Sequence, residues 1–344
     1  MLVLGIETSC DETSASVVED GRKILSNIVA SQIDVHSKFG GVVPELASRK
    51  HIQNIIPVIT EALSVANVSL DDIDGIAVTQ GPGLVGSLLI GISTAKAISF
   101  SKGLPIVGVN HLEGHIYSNF LEHADLQPPF ISLVVSGGHT DLIYVENEER
   151  KYEKLGQTMD DAAGEAFDKV AKLLELGYPG GPIIDRLSKE GNSKAIPFPR
   201  PYVWEHSLNF SFSGLKTAVL NYVINSKKTG QNINPVDIAA SFQASVIDVL
   251  TEKAIRAAEI KKTNTITIAG GVAANSGLRK RMSERCQELG YNLYYPSPKL
   301  CTDNAAMIAG IGYLILKNSH TNEDLDLDSD AIKRFKSYKK GLNE

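Results

Sequence analysis

The chain opens on an apolar run, Leu2–Ile6, then a small polar segment, Glu7–Thr13, then an alternating stretch, Ser14–Glu19. Apolar runs broken by a short polar segment predict strand, tight turn and strand. A third strand is expected over Lys23–Ala30. Helical periodicity follows over Pro44–Ala66. Ile76–Thr79 reads as a short buried strand, Gln80-Gly-Pro-Gly83 as a turn, and an apolar helix runs on to about Ser101. Pro105–Val109 is a further strand, and Asn110 opens a helix carrying His111 and His115.

A similar plan then begins again. Phe130–Val135 is a strand, Ser136-Gly-Gly-His-Thr140 a turn and Asp141–Val145 a strand, echoing the opening hairpin in order of elements rather than in sequence. Two such hairpins, each followed by alternating helices and strands, predict a duplicated α/β architecture. Gly177–Trp204 is rich in Gly and Pro and is expected to be an exposed insert. Helices are expected at Ser213–Asn225, Pro235–Ile260, Ala274–Leu289 and Asp303–Leu316, with strands at Thr263–Ala269 and Leu293–Tyr295. The expected division is a first lobe over 1–128, a second over 129–317 with an insert near 177–212, and a charged tail over 318–344.

Composition narrows the function classes. With 344 residues the chain is long enough for two domains at roughly 150 residues each. A formal net charge of −6 argues against a generic nucleic-acid binder, whose surface would be broadly basic. In the tail, Glu323–Asp330 carries five acids and Lys333–Lys340 five bases, a pattern usual for solvated faces, with contact to a polyanion as the alternative. Three cysteines without CxxC spacing fit a reducing compartment. The N-terminus enters a strand pattern directly, so no signal peptide is expected. The most apolar stretch, Leu84–Ala97, is too short and too rich in Gly and Ser to span a bilayer. A soluble cytoplasmic protein is the expectation.

Several groups could carry chemistry. His111 and His115 lie four apart, which on a helix puts both imidazoles on one face, within reach of one cation. Alone, the pair reads equally well as two histidines with unrelated hydrogen bonds. It is not the protease H-E-x-x-H, because Glu113 falls on another face. The glycines after Ser136, and those in Ile268-Ala-Gly-Gly-Val-Ala-Ala-Asn275, follow strands directly and could admit a phosphate or acyl group to backbone amides. Either could also be only a tight turn. Cys301-Thr-Asp-Asn304 supplies a helix cap or, through Asp303, completes a site. Glu7-Thr-Ser-Cys-Asp-Glu-Thr13 could be only a turn, but its acids and small hydroxyls could also serve a phosphate or metal, with Asp11, Glu12 and Thr13 as the candidates for a phosphate. Asp160, Asp161 and Glu165 suit a helix start, whereas Asp168 lies deeper.

Their order along the chain is more specific than any one of them. Gly5-Ile-Glu-Thr-Ser-Cys-Asp-Glu-Thr13, Gly40-Gly-Val-Val-Pro-Glu45, Gln80-Gly-Pro-Gly83, Asn110-His-x-x-x-His115, Val135-Ser-Gly-Gly-His-Thr140, Gly164-Glu-Ala-Phe-Asp-Lys169, Gly177-Tyr-Pro-Gly-Gly-Pro182, Phe210-Ser-Phe-Ser-Gly-Leu-Lys216, Gly270-Gly-Val-Ala-Ala-Asn275 and Cys301-Thr-Asp-Asn304 together resemble the TsaD family. These are tRNA adenosine threonylcarbamoyltransferases, and the opening motif resembles the bacterial and organellar branch. The resemblance runs from about residue 1 to 317. It implies the duplicated actin-like fold (sugar kinase, Hsp70, actin), with two α/β lobes and a central cleft. It implies transfer of threonylcarbamoyl from threonylcarbamoyl-AMP to N6 of adenosine 37 in tRNAs reading codons that begin with adenine, releasing AMP.

The resemblance also implies one divalent metal ion, iron or zinc, on His111, His115 and Asp303. It implies substrate contacts along Val134, Val135, Ser136, Gly137 and Gly138, and adenylate contacts at Asp168, Gly181, Asp185 and Asn275. Archaeal and eukaryotic cytosolic relatives place a tyrosine ligand at the position of Val134, which cannot coordinate, so fewer protein ligands are expected here. The implied partners are tRNA, a TsaB-like paralogue and a TsaE-like ATPase. Whether ATP also binds this chain, and whether it pairs with itself through the helix at 44–66, is left open. Arg279, Lys280, Arg281, Arg285 and the tail are the candidate tRNA contacts. The rival readings are a kinase of the same fold, which would need a base for a hydroxyl acceptor and no histidine pair, and a non-catalytic scaffold subunit.

Overall fold

The structure is a computed structural model and describes residues 1–147, 150–201, 207–230, 233–318 and 325–333. Its first sheet contains β1 (Leu2–Glu7), β2 (Glu12–Glu19), β3 (Lys23–Ser31), β4 (Gly75–Gly81) and β5 (Ile106–Asn110), in the order β3-β2-β1-β4-β5. The opening hairpin is antiparallel, and β4 and β5 add in parallel on its other side. β1 is apolar at almost every position because helices cover both faces of the sheet. Leu4 and Ile6 pack with residues of the helices Pro44–Ala66 and Val85–Lys102. Val3, between them in alternation, packs with the helix Ala305–Asn318 instead.

The second sheet contains β6 (Phe130–Val135), β7 (Thr140–Asn147), β8 (Lys151–Gln157), β9 (Thr265–Ala269) and β10 (Asn292–Tyr294). Its order is β10-β9-β6-β7-β8, the same plan: a central first strand, an antiparallel meander on one side and two parallel strands on the other. The duplicated α/β architecture is therefore present. β8 has no counterpart in the sequence reading, since its run Lys151-Tyr-Glu-Lys-Leu-Gly-Gln157 is mostly polar and pairs through two register shifts. The expected exposed insert at 177–204 also needs correction. It contains the helix Gly180–Ser188, in which Ile184 is fully buried, and Ile196 and Phe198 are buried beyond it. Trp204 lies outside the described residues.

The lobe boundary differs from expectation at the C-terminal end. The described residues divide into one unit of Met1–Leu126 with 299–318 and 325–333, and a second of Gln127–Pro298. The expected second lobe ran to 317. The last helix leaves it because its N-terminal amides are satisfied by the first sheet: Ala305 N donates to Ser14 Oγ at 2.9 Å and Ala306 N to Asn27 Oδ1 at 3.3 Å. The tail is corrected in part as well. Leu327 is buried in the first unit's core, Asp330 N donates to Gln80 O at 2.9 Å, and Asn110 Nδ2 donates to Lys333 O at 3.2 Å. The basic run beyond Lys333 lies outside the described residues. Among the described residues no helix is long and apolar enough to cross a membrane.

Gly5 allows the last helix to lie this close. A Cβ built there would stand 2.3 Å from Ala305 O and 2.8 Å from Ala309 N, backbone atoms that cannot rotate away. Gly5→Ala should therefore destabilise the protein by about 2 kcal/mol, the usual order for an overpacked core. Urea denaturation checks this, and an unchanged midpoint would contradict the packing described.

Candidate functional site

The histidine pair sits where β5 ends and the helix His111–Glu122 begins. Asn110 caps that helix, its Oδ1 accepting from Leu112 N at 2.9 Å and Glu113 N at 3.3 Å. The four-residue spacing puts both rings on one face, with centroids 4.6 Å apart. The preceding turn of the last helix brings Asp303 to them. Its Oδ1 lies 3.4 Å from His111 Nε2 and 3.1 Å from His115 Nε2. Three ligand-type atoms thus lie within 4.8 Å of one another, all in the first unit.

The arrangement fits a bound cation. His115 is fully buried, and neither ring nitrogen makes a well-formed hydrogen bond, Nε2 lying 3.1 Å from Asp303 Oδ1 as an ion-pair contact. Buried polar atoms are rarely left in that state. Ligands about 2.1 Å from a tetrahedral ion are about 3.4 Å apart, close to the separations of Asp303 from each histidine. The electrostatics point the same way. Burial opposes charge on Asp303, yet the His111 imidazolium holds its carboxyl far below the ordinary carboxylate range. Burial alone would lower His111, but the Asp303 and Glu7 carboxylates raise it well above the ordinary histidine value. Burial lowers His115. His111 thus faces a carboxylate at each ring nitrogen, a balance of charge that a cation also suits.

Glu7 opens the segment read as a possible phosphate or metal loop, but its pairing with His111 is not legible in the sequence. It is fully buried, and its Oε2 lies 3.0 Å from His111 Nδ1, the ring nitrogen remote from Asp303. No local spacing connects residue 7 to residue 111; the parallel neighbours β1, β4 and β5 do.

The turn carrying Asp11, Glu12 and Thr13 is less open than a phosphate loop. The Thr13 hydroxyl pairs with His51 Nδ1 at 2.8 Å, and His51 Nε2 pairs with Cys10 O at 2.9 Å. Burial, and then the neighbouring Asp11 charge, push the Glu12 carboxyl up to about 9. Glu12 therefore keeps its proton at neutral pH and can donate a hydrogen bond.

The second unit gathers the remaining candidates within itself. Val134 and Val135 are fully buried in β6, so only Ser136, Gly137 and Gly138 of that run reach the surface. Gly164 N donates to Ser136 O at 3.2 Å, tying the helix Ala163–Leu173 to this turn. One turn along, Asp168 Oδ1 accepts from Gly180 N at 2.7 Å, beside Gly181. Asp185 accepts from Ser276 N at 3.1 Å and Gln243 Nε2 at 3.2 Å. Asn275 Nδ2 in turn donates to Gln243 Oε1 at 2.8 Å. Gln243, on the long helix Pro235–Lys261, is a residue that the sequence reading missed. A Cβ at Gly137, Gly138, Gly181 or Gly271 would meet no atom within 4 Å, and none of the four has a left-handed φ. Neither packing nor backbone conformation calls for glycine there, and the open space leaves the backbone accessible to a ligand.

Other singled-out groups are structural. Asp160 does not serve the helix after it. It accepts from Ser211 Oγ at 2.5 Å, Phe212 N at 2.8 Å and Ser213 Oγ at 2.7 Å, capping the helix Ser213–Thr229. Asp161 and Glu165 pair with Lys169. Arg279 donates to Ala273 O and Pro296 O and lies over the Tyr295 ring. Arg281 and Arg285 face Asp248 and Glu252, leaving Lys280 as the exposed base of the four.

Comparison with known proteins follows from this geometry. Residues 23–310 match the family described as TsaD, tRNA N6-adenosine threonylcarbamoyltransferase. A protein of that name from Clostridioides difficile (strain 630) is 54% identical over 336 residues, covering 98% of each chain. Another from Clostridium perfringens (strain ATCC 13124) is 56% identical over 322 residues, covering 94% of this chain and 95% of that one. Among solved structures, HypF of T. kodakarensis superimposes with a TM-score of 0.62 at 15% identity, over 94% of this chain and 49% of that one. At that identity the likeness shows the fold alone, the duplicated actin-like α/β fold.

The Asp160 cap carries a pH prediction. Burial raises its carboxyl, but the hydroxyl and amide donors outweigh this and hold it below 3.8. A lowered acid contributes stability above its unfolded value and loses it as the pH falls through the folded one. Asp160→Asn should cost about 1 kcal/mol at pH 7. That gap should close as the pH drops below 3.8, in paired denaturation curves of the two proteins.

Proposed function

The chain belongs to the TsaD family of tRNA N6-adenosine threonylcarbamoyltransferases, and from that membership we propose how its residues serve the reaction. The transfer takes threonylcarbamoyl from threonylcarbamoyl-AMP to N6 of adenosine 37 of tRNAs that read codons beginning with adenine. The N6 nitrogen attacks the carbamoyl carbonyl, a nitrogen–carbon bond forms, the carbon–oxygen bond to phosphate breaks, and AMP leaves while N6 loses a proton.

The observation that carries the metal-dependent form of this reading is the fully buried His115 imidazole, without a well-formed hydrogen bond, beside His111 and Asp303. These three residues would hold one divalent ion, iron or zinc. Bound there, the ion supplies Lewis acidity toward an oxygen of the transferred group. The chain's own residues do the positioning. Backbone amides at Ser136–Gly138 and Gly271 are suited to phosphate oxygens that gain charge as AMP departs. Asp168 and Asp185 offer carboxylate oxygens to ribose hydroxyls, and Asn275 an amide edge to the base. Because the donor is already activated, no nucleophilic side chain is required, and alignment of two substrates accounts for much of the acceleration.

Partners follow from surface and charge. With a net charge of −6 and three of four candidate arginine and lysine contacts engaged internally, tRNA affinity calls for a companion chain. In the first unit, Ile52 and Ile56 lie one turn apart on the helix Pro44–Ala66, 65% and 59% exposed. Val85 and Leu89 repeat that spacing on the adjacent helix. This apolar face suits a TsaB-like paralogue, with a TsaE-like ATPase completing the assembly. An acceptor tRNA and three free cysteines support a cytoplasmic location.

The test is transfer in vitro with purified protein, partners, tRNA and threonylcarbamoyl-AMP. Modified adenosine should form, and chelation or His111→Ala should lower its rate by at least 100-fold, the order expected on loss of several kcal/mol of electrophilic stabilisation. Full transfer by a metal-free His111→Ala protein would refute the metal's role. Absence of transfer in the complete wild-type mixture would refute the reaction itself.

A further inference from the structure

Glu7 ends β1 with no exposed surface, yet every carboxylate contact is specified. Oε1 accepts from Ser9 N at 2.5 Å, and Oε2 accepts from Thr79 Oγ1 at 2.5 Å while lying 3.0 Å from His111 Nδ1. Ser9 Oγ approaches the same ring nitrogen at 3.2 Å. His111 is the only base within ion-pair distance of Glu7 among the described residues. A buried carboxylate costs several kcal/mol unless charge and hydrogen bonds compensate it, so a merely structural link from β1 to β4 would be better made by a neutral side chain. The opposite nitrogen of the ring, Nε2, faces Asp303.

We propose that Glu7 is a positioning residue for the metal site: it takes the hydrogen bond from His111 Nδ1–H and so fixes the tautomer and ring orientation that present the Nε2 lone pair to an ion. This rests on the reading of His111, His115 and Asp303 as metal ligands. The carboxylate also balances charge. With two neutral imidazoles, Asp303 and Glu7 together neutralise a divalent cation, so that the buried site carries no net charge. Thr79 and the Ser9 amide hold the carboxylate itself, leaving it one orientation in which to meet the ring. A carboxylate placed behind a ligating histidine typically changes metal affinity by 10- to 100-fold when removed.

The experiment uses the full chain and Co(II) alone, titrated in competition with a chromophoric chelator. Glu7→Gln, of equal size, should weaken Co(II) binding by 10- to 100-fold. It should leave the melting temperature of the metal-free protein unchanged or raised, since it removes a buried charge. The nitrogen-15 shifts of His111 in the zinc-loaded protein should show loss of the single Nδ1–H tautomer. Thr79→Val, which removes one brace without touching charge, should weaken binding less. His115→Ala separates the two readings. If wild type binds Co(II), His115→Ala does not, and Glu7→Gln binds like wild type, the role of Glu7 is overturned while the ligand set stands. If Glu7→Gln loses affinity only together with metal-free stability, a structural role replaces the proposed one. If His115→Ala binds like wild type, the ligand set fails and the proposal fails with it.

Discussion

The first unit depends on the contact between β1 and the last helix, where Gly5 passes beneath Ala305 and Ala309 without room for a side chain. This approach fixes the height of the Cys301–Asn304 turn above the sheet. It thereby places Asp303 over the helix that leaves β5. Donation by Ala305 N to Ser14 Oγ and by Ala306 N to Asn27 Oδ1 anchors the helix start from below. A shift of one residue in that packing would carry Asp303 away from both imidazoles. The buried cluster is thus a consequence of how tightly a helix can approach a strand, and a single missing Cβ decides it.

Once assembled, the cluster is governed by electrostatics, with Glu7, His111 and His115 buried and Asp303 partly exposed. Two carboxylates, Glu7 and Asp303, face His111 from opposite ring nitrogens. Each would be costly alone, and together they can be tolerated only with compensating positive charge. The contrast between the two histidines follows. His111 lies between carboxylates and is raised, whereas His115, with Asp303 alone beside it, is lowered by burial. The second unit is arranged differently, around exposed backbone. It leaves open space over Gly137, Gly138, Gly181 and Gly271, and uses Asp168, Asp185, Asn275 and Gln243 to hold the neighbouring helix starts in place.

These hydrogen bonds also explain why acids near helix starts were hard to read. Asp160 and Asp185 bind the N-termini of helices that are neither their own nor the next in sequence order, and Asp168 binds the start of the helix after its own. Dipole complementarity favours an acid at a helix start but does not say which helix. Asp160 was read for the helix beginning at Ala163, whereas its donors lie fifty residues further along, at 211–213. The Gly177–Trp204 stretch misled for a related reason: turn-forming residues mark breaks, but Ile184, Ile196 and Phe198 find their burial only against elements distant in the chain.

The sequence alone determined the strand–turn–strand openings of both sheets, the long helices and the placement of His111 and His115 on one face. Each of these rests on local periodicity, which a chain carries at every point. The ordered motifs further identified the family and, with it, Asp303 as the third member of the set. Only the tertiary structure decided that the last helix joins the first sheet, that Leu327 closes that core, and that Glu7 stands behind His111 while Gln243 links Asp185 to Asn275. Those contacts join residues far apart in sequence, through parallel strand neighbours and packed helices. No local pattern encodes such a contact, because the residues at its two ends acquire a common environment only when the chain has folded.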